Sequence, residues 1–433
     1  MKNDIIVYFL GTLTLFASTY IIYWTYQRFS KLEVIRGWLL CALLIGWVLA
    51  HLIPFTIYAF FPESTRYFPS YAWMGADEWL IGLLVSFIGC GFLLFGYWLG
   101  QSAGSKHVII PNLIPYSAQS RLLITFLLIF VVMQLIPLFL IFFHGIEIRF
   151  EHRNIHWAEV GILIRFLMFC IPAAIISSII WRWNNIIKII CIMALIISVV
   201  SAVACGQRMV LLIIPLSVIV FWWRNNIVIR KFFIMMFLSF AVIFSIFISI
   251  QYRTTIDKDI PYSTAKLFLT DLGRMNVMAY TIRHTNLISS ELIHPPLLSS
   301  YLYWAIVSIP RSVWDDKPYP ANLQFSHWFR YNYNPAYPYL YIQGNIGQNE
   351  FGFIEEALLN FGCLGLFFIC IIGYIISIVE LKLLPFPVMA TWSWLFSFLG
   401  FIYSFNAVFM LLLPLLIFII AHNLMKQILY TRE

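Results

Sequence analysis

The polar residues of this chain gather in one late stretch. Between residues 253 and 361, Arg253, Arg274, Arg311, Lys317 and Arg330 lie among Asp315, Asp316, His327, Glu350, Glu355 and Glu356, interspersed with Pro, Tyr and Trp. Several cations at one depth stabilise a diphosphate far better than one does, although a long loop outside the membrane also carries such charge without special function. Two earlier arginines fit the same chemistry by position. Arg165 sits inside the apolar run GILIRFLMFCIP, where a charge costs about 2.5–3.5 kcal/mol, so it faces a polar cavity or an anionic partner, or snorkels to the interface. Arg208 follows Gly206 in ACGQRMVLLIIP. Glycine allows close backbone approach, and a helix opening at the arginine offers free N–H groups, which together suit a phosphate. A plain interfacial arginine is the alternative there and at Arg253.

For proton transfer the candidates are His327, Asp315, Asp316, Glu350, Glu355 and Glu356, because an attacking hydroxyl needs a nearby base. Glu355 and Glu356 fall where the chain re-enters an apolar helix, so one of them can instead face water or favour the helix start. His327 is the one histidine in the most polar part of the stretch, and a lone histidine also serves structure. Trp328 with Tyr331, Tyr333, Tyr337, Tyr339 and Tyr341 forms a dense aromatic run. Such rings stack on sugars or anchor at the headgroup level; Trp328, Tyr333 and Tyr337 are the candidates for sugar contact. His152 and His156 have metal-ligand spacing beside Glu151 and Glu159, but no third ligand is evident, so a solvated helix face is expected. No P-loop, GxGxxG, HExxH or GxSxG pattern occurs, and no nucleotide site is indicated.

These residues must be positioned by lipid-embedded helices. Of 433 residues, 62% are hydrophobic and only 11% charged, and the mean hydropathy is +0.87. Soluble domains carry about 25% charged residues. Long apolar runs argue for helices, since barrel strands show short alternating segments. The expected fold is therefore an all-α polytopic membrane protein with about 11 transmembrane helices, near residues 4–26, 36–61, 78–100, 120–143, 159–181, 186–204, 209–223, 232–250, 352–379, 386–403 and 405–425. The first is too long for a cleaved signal peptide and is read as retained. The seven cysteines lie in or beside apolar runs without metal or disulfide spacing.

Net charge is +8. Most of the excess lies in short loops, so it reports membrane orientation rather than nucleic-acid binding. Arg28, Lys31 and Arg36, then Lys106 and Arg121, Arg182 and Lys188, Arg224, Arg230 and Lys231, and finally Lys382, Lys426 and Arg432 fall in one alternating set of loops. The other set is poorer in cations. This pattern puts the C-terminus in the cytoplasm and the N-terminus and the long polar segment outside. Three parts follow: an N-terminal bundle over 1–250 with about eight spans, a large external segment over 251–351, and a C-terminal bundle over 352–433 with about three. Within the external segment, 263–290 has helical periodicity, with Leu267, Leu272, Met275 and Ala279 near one face, and is expected along the membrane surface. The apolar run 297–309 is too short to span and reads as re-entrant or interfacial.

Gly-Gln-Arg at 206–208 opening a span, IPRSVWDDKP at 309–318 and EEALLNFGCLG at 355–365 together resemble the Wzy-type O-antigen polymerases, oligosaccharide repeat-unit polymerases related to O-antigen ligases. IRFLMFCIP at 164–172 is also similar to a span of that group. The resemblance implies a metal-independent glycosyltransferase of GT-C-like fold, without cofactor, facing the periplasm from the bacterial inner membrane. It would move a growing chain from undecaprenyl diphosphate onto the next lipid-linked repeat unit. Membrane lipids, a flippase and a chain-length regulator are the implied partners. Carried over by position, Arg165, Arg208 and Arg311 match cationic positions and Glu356 the acidic position before Asn360-Phe361-Gly362. Related proteins often carry an Arg–Gly or Arg–Glu–Gly pair between the last two spans, whereas this chain has YSFNAVF at 403–409. The rival readings are a ligase acting on the same donor and a lipid-linked oligosaccharide flippase. A flippase predicts two similar halves with short loops on both faces, which the sequence does not show.

Overall fold

In lipid, only structures that pair all their own backbone N–H and C=O groups can span, so apolar runs of this length become helices. The structure is a computed structural model and describes residues 2–30, 37–66, 71–103, 120–143, 166–180, 185–204, 208–224, 267–284, 299–306, 309, 313–314, 316–331, 351–383 and 387–430. Every element among the described residues is helical. Among the described residues, seven helices are long and apolar enough to cross a membrane: Ile5–Thr25, Trp38–Phe60, Ala76–Ala103, Leu122–Phe143, Asn185–Ala202, Phe353–Lys382 and Ala407–Met425. Phe166–Ile180 and Val388–Leu399 are shorter apolar helices at two further expected spans. The chain is thus a multi-pass helical membrane protein. The expected span at 232–250 lies outside the described residues.

Two compact units make up the chain, each assembled from separated stretches. The first comprises Met1–Val108, Ile260–Lys382 and Phe396–Met410. It contains α1 (Lys2–Ser30), α2 (Trp38–Trp47), α3 (Ile53–Phe60) and α4 (Ala76–Ala103). On α4, Gly82, Gly89, Gly96 and Gly100 leave a small face filled by Met275, Ile354, Cys370 and Ser377. Small residues allow this approach, which supplies the van der Waals contact that holds helices together where lipid removes the hydrophobic drive. Ile5, Phe9, Phe16 and Tyr20 of α1 remain exposed, as a lipid-facing surface requires.

The second unit comprises Ile109–Asp259, Leu383–Leu395 and Leu411–Glu433. Its α5 (Ser120–Phe143), α6 (Cys170–Ile180), α7 (Asn185–Ala204) and α8 (Arg208–Arg224) surround a core in which α6 is buried almost throughout. Phe130 stacks on Phe169 and meets Phe418 edge-on at centroid distances of 5.0 and 5.8 Å.

The polar stretch folds differently from the surface helix expected over 263–290. A π-helical segment, Leu267–Leu272, breaks at Gly273 and is followed by α9 (Met275–Arg283). Residues 275–281 are all buried, because α9 packs between α4 and α11 instead of resting one face on lipid headgroups. From the run 297–309, the described part holds a single short turn of helix, Tyr303–Ile306. Then come α10 (Ala321–Tyr331), α11 (Phe353–Phe361), a 3-10 turn at Gly362–Leu364, α12 (Gly365–Leu383), α13 (Pro387–Leu399) and α14 (Phe405–Tyr430). Phe325, Phe351, Val277, Tyr280 and Leu359 form one apolar cluster joining α9, α10 and α11.

Candidate functional site

A proline in a membrane helix opens the site. Pro54 has no N–H, so the carbonyl of Ala50, four residues earlier, loses its helical partner. The backbone widens into a π-helical turn over Val48–Leu52, in which the Ile53 N–H reaches Val48 O. Such turns recur at functional positions. The released Ala50 carbonyl is taken by the N–H of Arg274 at 2.8 Å. Gly273 makes that approach possible: a Cβ there would stand 2.5 Å from Phe268 O and 2.8 Å from Pro54 Cγ.

Arg274 therefore enters the interior, where its side chain is 5% exposed. Its Nε donates to Ile402 O and its Nη1 to Gly273 O, both at 2.6 Å, and the guanidinium lies 5.8 Å from the Tyr403 ring centre. Ile402 and Tyr403 belong to the turn between α13 and α14. That turn is also held by α11: the Phe353 N–H donates to Gly400 O at 2.6 Å, and Glu356 Oε2 accepts the Phe405 N–H at 2.7 Å. Asn360 donates to Glu356 O and to Ser300 Oγ at 2.7 and 2.9 Å, tying the 299–306 segment to the same helix.

Glu355 points the other way. Its Oε2 accepts the Gly352 N–H at 3.1 Å, satisfying a free backbone donor at the start of α11. Its Oε1 lies 3.6 Å from His51 Nε2. Both side chains are 0% exposed, and among the described residues neither His51 nitrogen nor Glu355 Oε1 has a hydrogen-bond partner. The Phe401 ring meets the imidazole edge-on at 6.1 Å. Beneath them, Tyr71 donates to Leu269 O at 2.7 Å and stacks on Trp79. Burial pushes the Tyr71 phenol above its ordinary range, so it acts there as a protonated donor. Tyr301 is raised well above the usual value as well, by burial first and by the Glu356 carboxylate second.

One guanidinium, two carboxyls and one imidazole thus meet from three separated segments. The set can neutralise an anion and hold or pass a proton. Depth follows from α4, whose length is about 42 Å at 1.5 Å per residue. Met275 meets it at Gly82 and Ile354 at Gly89, so the cluster lies well inside the bundle. A second layer flanks it. Lys317 Nζ donates to Ile309 O at 2.8 Å over the Tyr303 ring, and Gln324 bridges Ser299 Oγ and Tyr319 O. Among the described residues, no three His, Cys, Asp or Glu side chains converge as a metal site.

Of the residues singled out by sequence, Arg274 and Glu356 come together on one turn. Neither Glu355 nor Glu356 faces water, because both are drawn in to hold backbone N–H groups. His327 and Trp328 lie on α10 and Arg208 opens α8, with side chains outside the described part. Arg165, Arg253, Arg311, Tyr333 and Tyr337, with His152 and His156, lie outside the described residues. Sequence reasoning missed His51. Its signal was present: an ionisable residue in the middle of the apolar run WVLAHLIPF, three positions before a proline. No family model, curated protein or solved structure matches this chain.

Proposed function

We propose that this protein is a membrane glycosyltransferase that polymerises undecaprenyl-diphosphate-linked repeat units of a surface polysaccharide. One observation carries the reading. Arg274 and Glu356, singled out separately as a diphosphate-binding cation and as the acidic position of the EEALLNFG stretch, meet on one buried turn at residues three apart, Ile402 and Phe405. This is the same turn that carries an arginine of its own in the proteins the chain resembles. Here the cation reaches it from residue 274.

In this reading the chain has about eleven spans in a GT-C-like arrangement in the bacterial inner membrane, with the N-terminus and the polar segment in the periplasm. Arg165, Arg208, Arg253 and Arg311 hold the diphosphate of the donor. The acceptor hydroxyl forms its bond to the anomeric carbon as the bond from that carbon to the diphosphate oxygen breaks. The hydroxyl proton passes to His327 or Glu356, and the diphosphate leaves with the bonding pair. A diphosphate is already a good leaving group, so positioning and fixed positive charge can carry the step. Trp328, Tyr333 and Tyr337 orient the acceptor sugar.

The test is the surface polysaccharide profile of a deletion strain. A single repeat unit on the lipid core, restored to long chains by the wild-type gene but not by Arg208→Ala or Arg165→Ala, is the expected result. Loss of every repeat unit would identify a ligase instead, and an unchanged profile would sink both.

A further inference from the structure

The His51–Glu355 pair is the part of the cluster that the glycosyl-transfer reading leaves without a task. Among the described residues, His51 Nδ1 and Nε2 and Glu355 Oε1 are buried without a hydrogen-bond partner. An unmet buried polar atom is costly, so a facing donor and acceptor close on each other where they can. Nε2 and Oε1 stand 3.6 Å apart, and a small approach brings them within hydrogen-bond length. A neutral imidazole supplies what that bond needs, since one ring nitrogen carries a hydrogen and the other a lone pair. With the hydrogen on Nε2, the donor faces the carboxyl. The helix break aims it there: Pro54 opens the turn over Val48–Leu52 that carries His51, and the Phe401 ring meets the imidazole edge-on.

What Glu355 holds gives that bond a consequence. Its other oxygen, Oε2, accepts the Gly352 N–H at 3.1 Å, and Gly352 O in turn accepts the Glu356 N–H at 2.9 Å. The next residue, Phe353, donates its N–H to Gly400 O at 2.6 Å. This contact has no slack, because a Cβ on Gly352 would run into the Phe401 backbone and one on Gly400 into the Phe353 ring. The same turn accepts Arg274 at Ile402 O and gives its Phe405 N–H to Glu356 Oε2. A displacement of the Glu355 carboxyl is therefore carried, backbone against backbone, to the turn that Arg274 and Glu356 share.

We propose that His51 is a positioning residue. Its neutral imidazole donates from Nε2 to Glu355 Oε1 and so fixes the start of α11 against the turn at 400–405, which sets the aim of Glu356. The effect on activity rests on the glycosyl-transfer reading. The hydrogen bond itself does not.

The first measurement uses the full-length protein in lipid nanodiscs with nitrogen-labelled histidine. The expected result is one neutral-histidine signal, absent from H51Q, with a hydrogen-bonded N–H at Nε2 and a bare Nδ1. A His51 signal with the hydrogen on Nδ1, or with both nitrogens protonated, overturns the proposal. The second measurement compares variants in the deletion strain at equal membrane abundance. His51→Leu removes the donor at similar bulk and should lower polymerisation about 10–100-fold. His51→Gln keeps a donor toward Glu355 and should restore most of it. Wild-type chain lengths from His51→Leu, or equal loss in both variants, overturns the positioning role. A deletion strain with an unchanged polysaccharide profile overturns the glycosyl-transfer reading and the positioning role with it, while the tautomer still decides the hydrogen bond.

Discussion

Two buried glutamates near opposite ends of the Phe353–Lys382 helical segment do similar work under different conditions. Glu380 fixes the start of α2: its Oε1 accepts the N–H groups of Gly37 and Trp38 at 2.6 and 2.9 Å, and its Oε2 accepts a hydrogen bond from the Tyr97 hydroxyl. Gly37 has φ of 90°, a left-handed conformation that glycine adopts without strain and that turns its N–H toward the carboxylate. Each oxygen of Glu380 is used. Glu355 fixes the start of its own helix with one oxygen and leaves the other beside an unpaired imidazole. The first is a clamp, complete in itself. The second keeps unused bonding capacity in a place where that is costly, next to a helix unwound by proline. Satisfaction of hydrogen bonds, more than burial or charge, separates the structural site from the candidate functional one.

That contrast is sharpest under substitution. Glu380→Ala leaves two backbone donors and a tyrosine hydroxyl buried without an acceptor, and should cost about 3–5 kcal/mol in reversible unfolding in detergent or nanodiscs. Tyr97→Phe removes one donor to the same carboxylate and should cost about 1.5–3 kcal/mol by the same measurement. Gly46→Ala probes the other region, since its Cβ would lie 2.5 Å from Phe398 O and 3.3 Å from the Phe401 ring beside the His51 turn. Overpacking of this kind should cost about 1–3 kcal/mol.

Glu355→Gln should cost less than about 1 kcal/mol near neutral pH, because the amide still accepts from Gly352 and donates toward a His51 that moves its hydrogen to Nδ1. Glu380→Gln should be worse than Glu355→Gln, since an amide cannot accept at both of its heavy atoms. If the two glutamine variants unfold alike, the distinction between clamp and candidate functional site fails. The smallest effect belongs to Arg283→Ala. Its pair with Glu78 at 3.6 Å is 60% exposed on the arginine side, so its loss should change stability by about 0–1 kcal/mol.

How much could be read beforehand differs between residues. Arg274 was recognisable as one of several cations in the long polar segment, and Glu356 as an acid where the chain re-enters an apolar helix. Their meeting point was not, because the turn that joins them lies about 130 residues from Arg274 (128 to Ile402) and carries no charge to mark it. The helix over 275–283 was expected to rest on headgroups. Its Asn276 and Thr281 are buried where α9 packs against α4 and α11. Glu380 was not singled out from the sequence, and the structure turns it onto another helix start.

By itself the sequence determined the membrane class, the helical architecture and the positions of most long helices, because the cost of an unpaired backbone group in lipid acts on each apolar run independently. Only the tertiary structure decided that the carbonyl released by Pro54 is met by Arg274, that Arg274 and Glu356 share a turn, and that His51 faces Glu355. Those contacts join segments far apart in the chain, and the hydrogen-bonding needs of buried groups can be settled only when all the partners are in place.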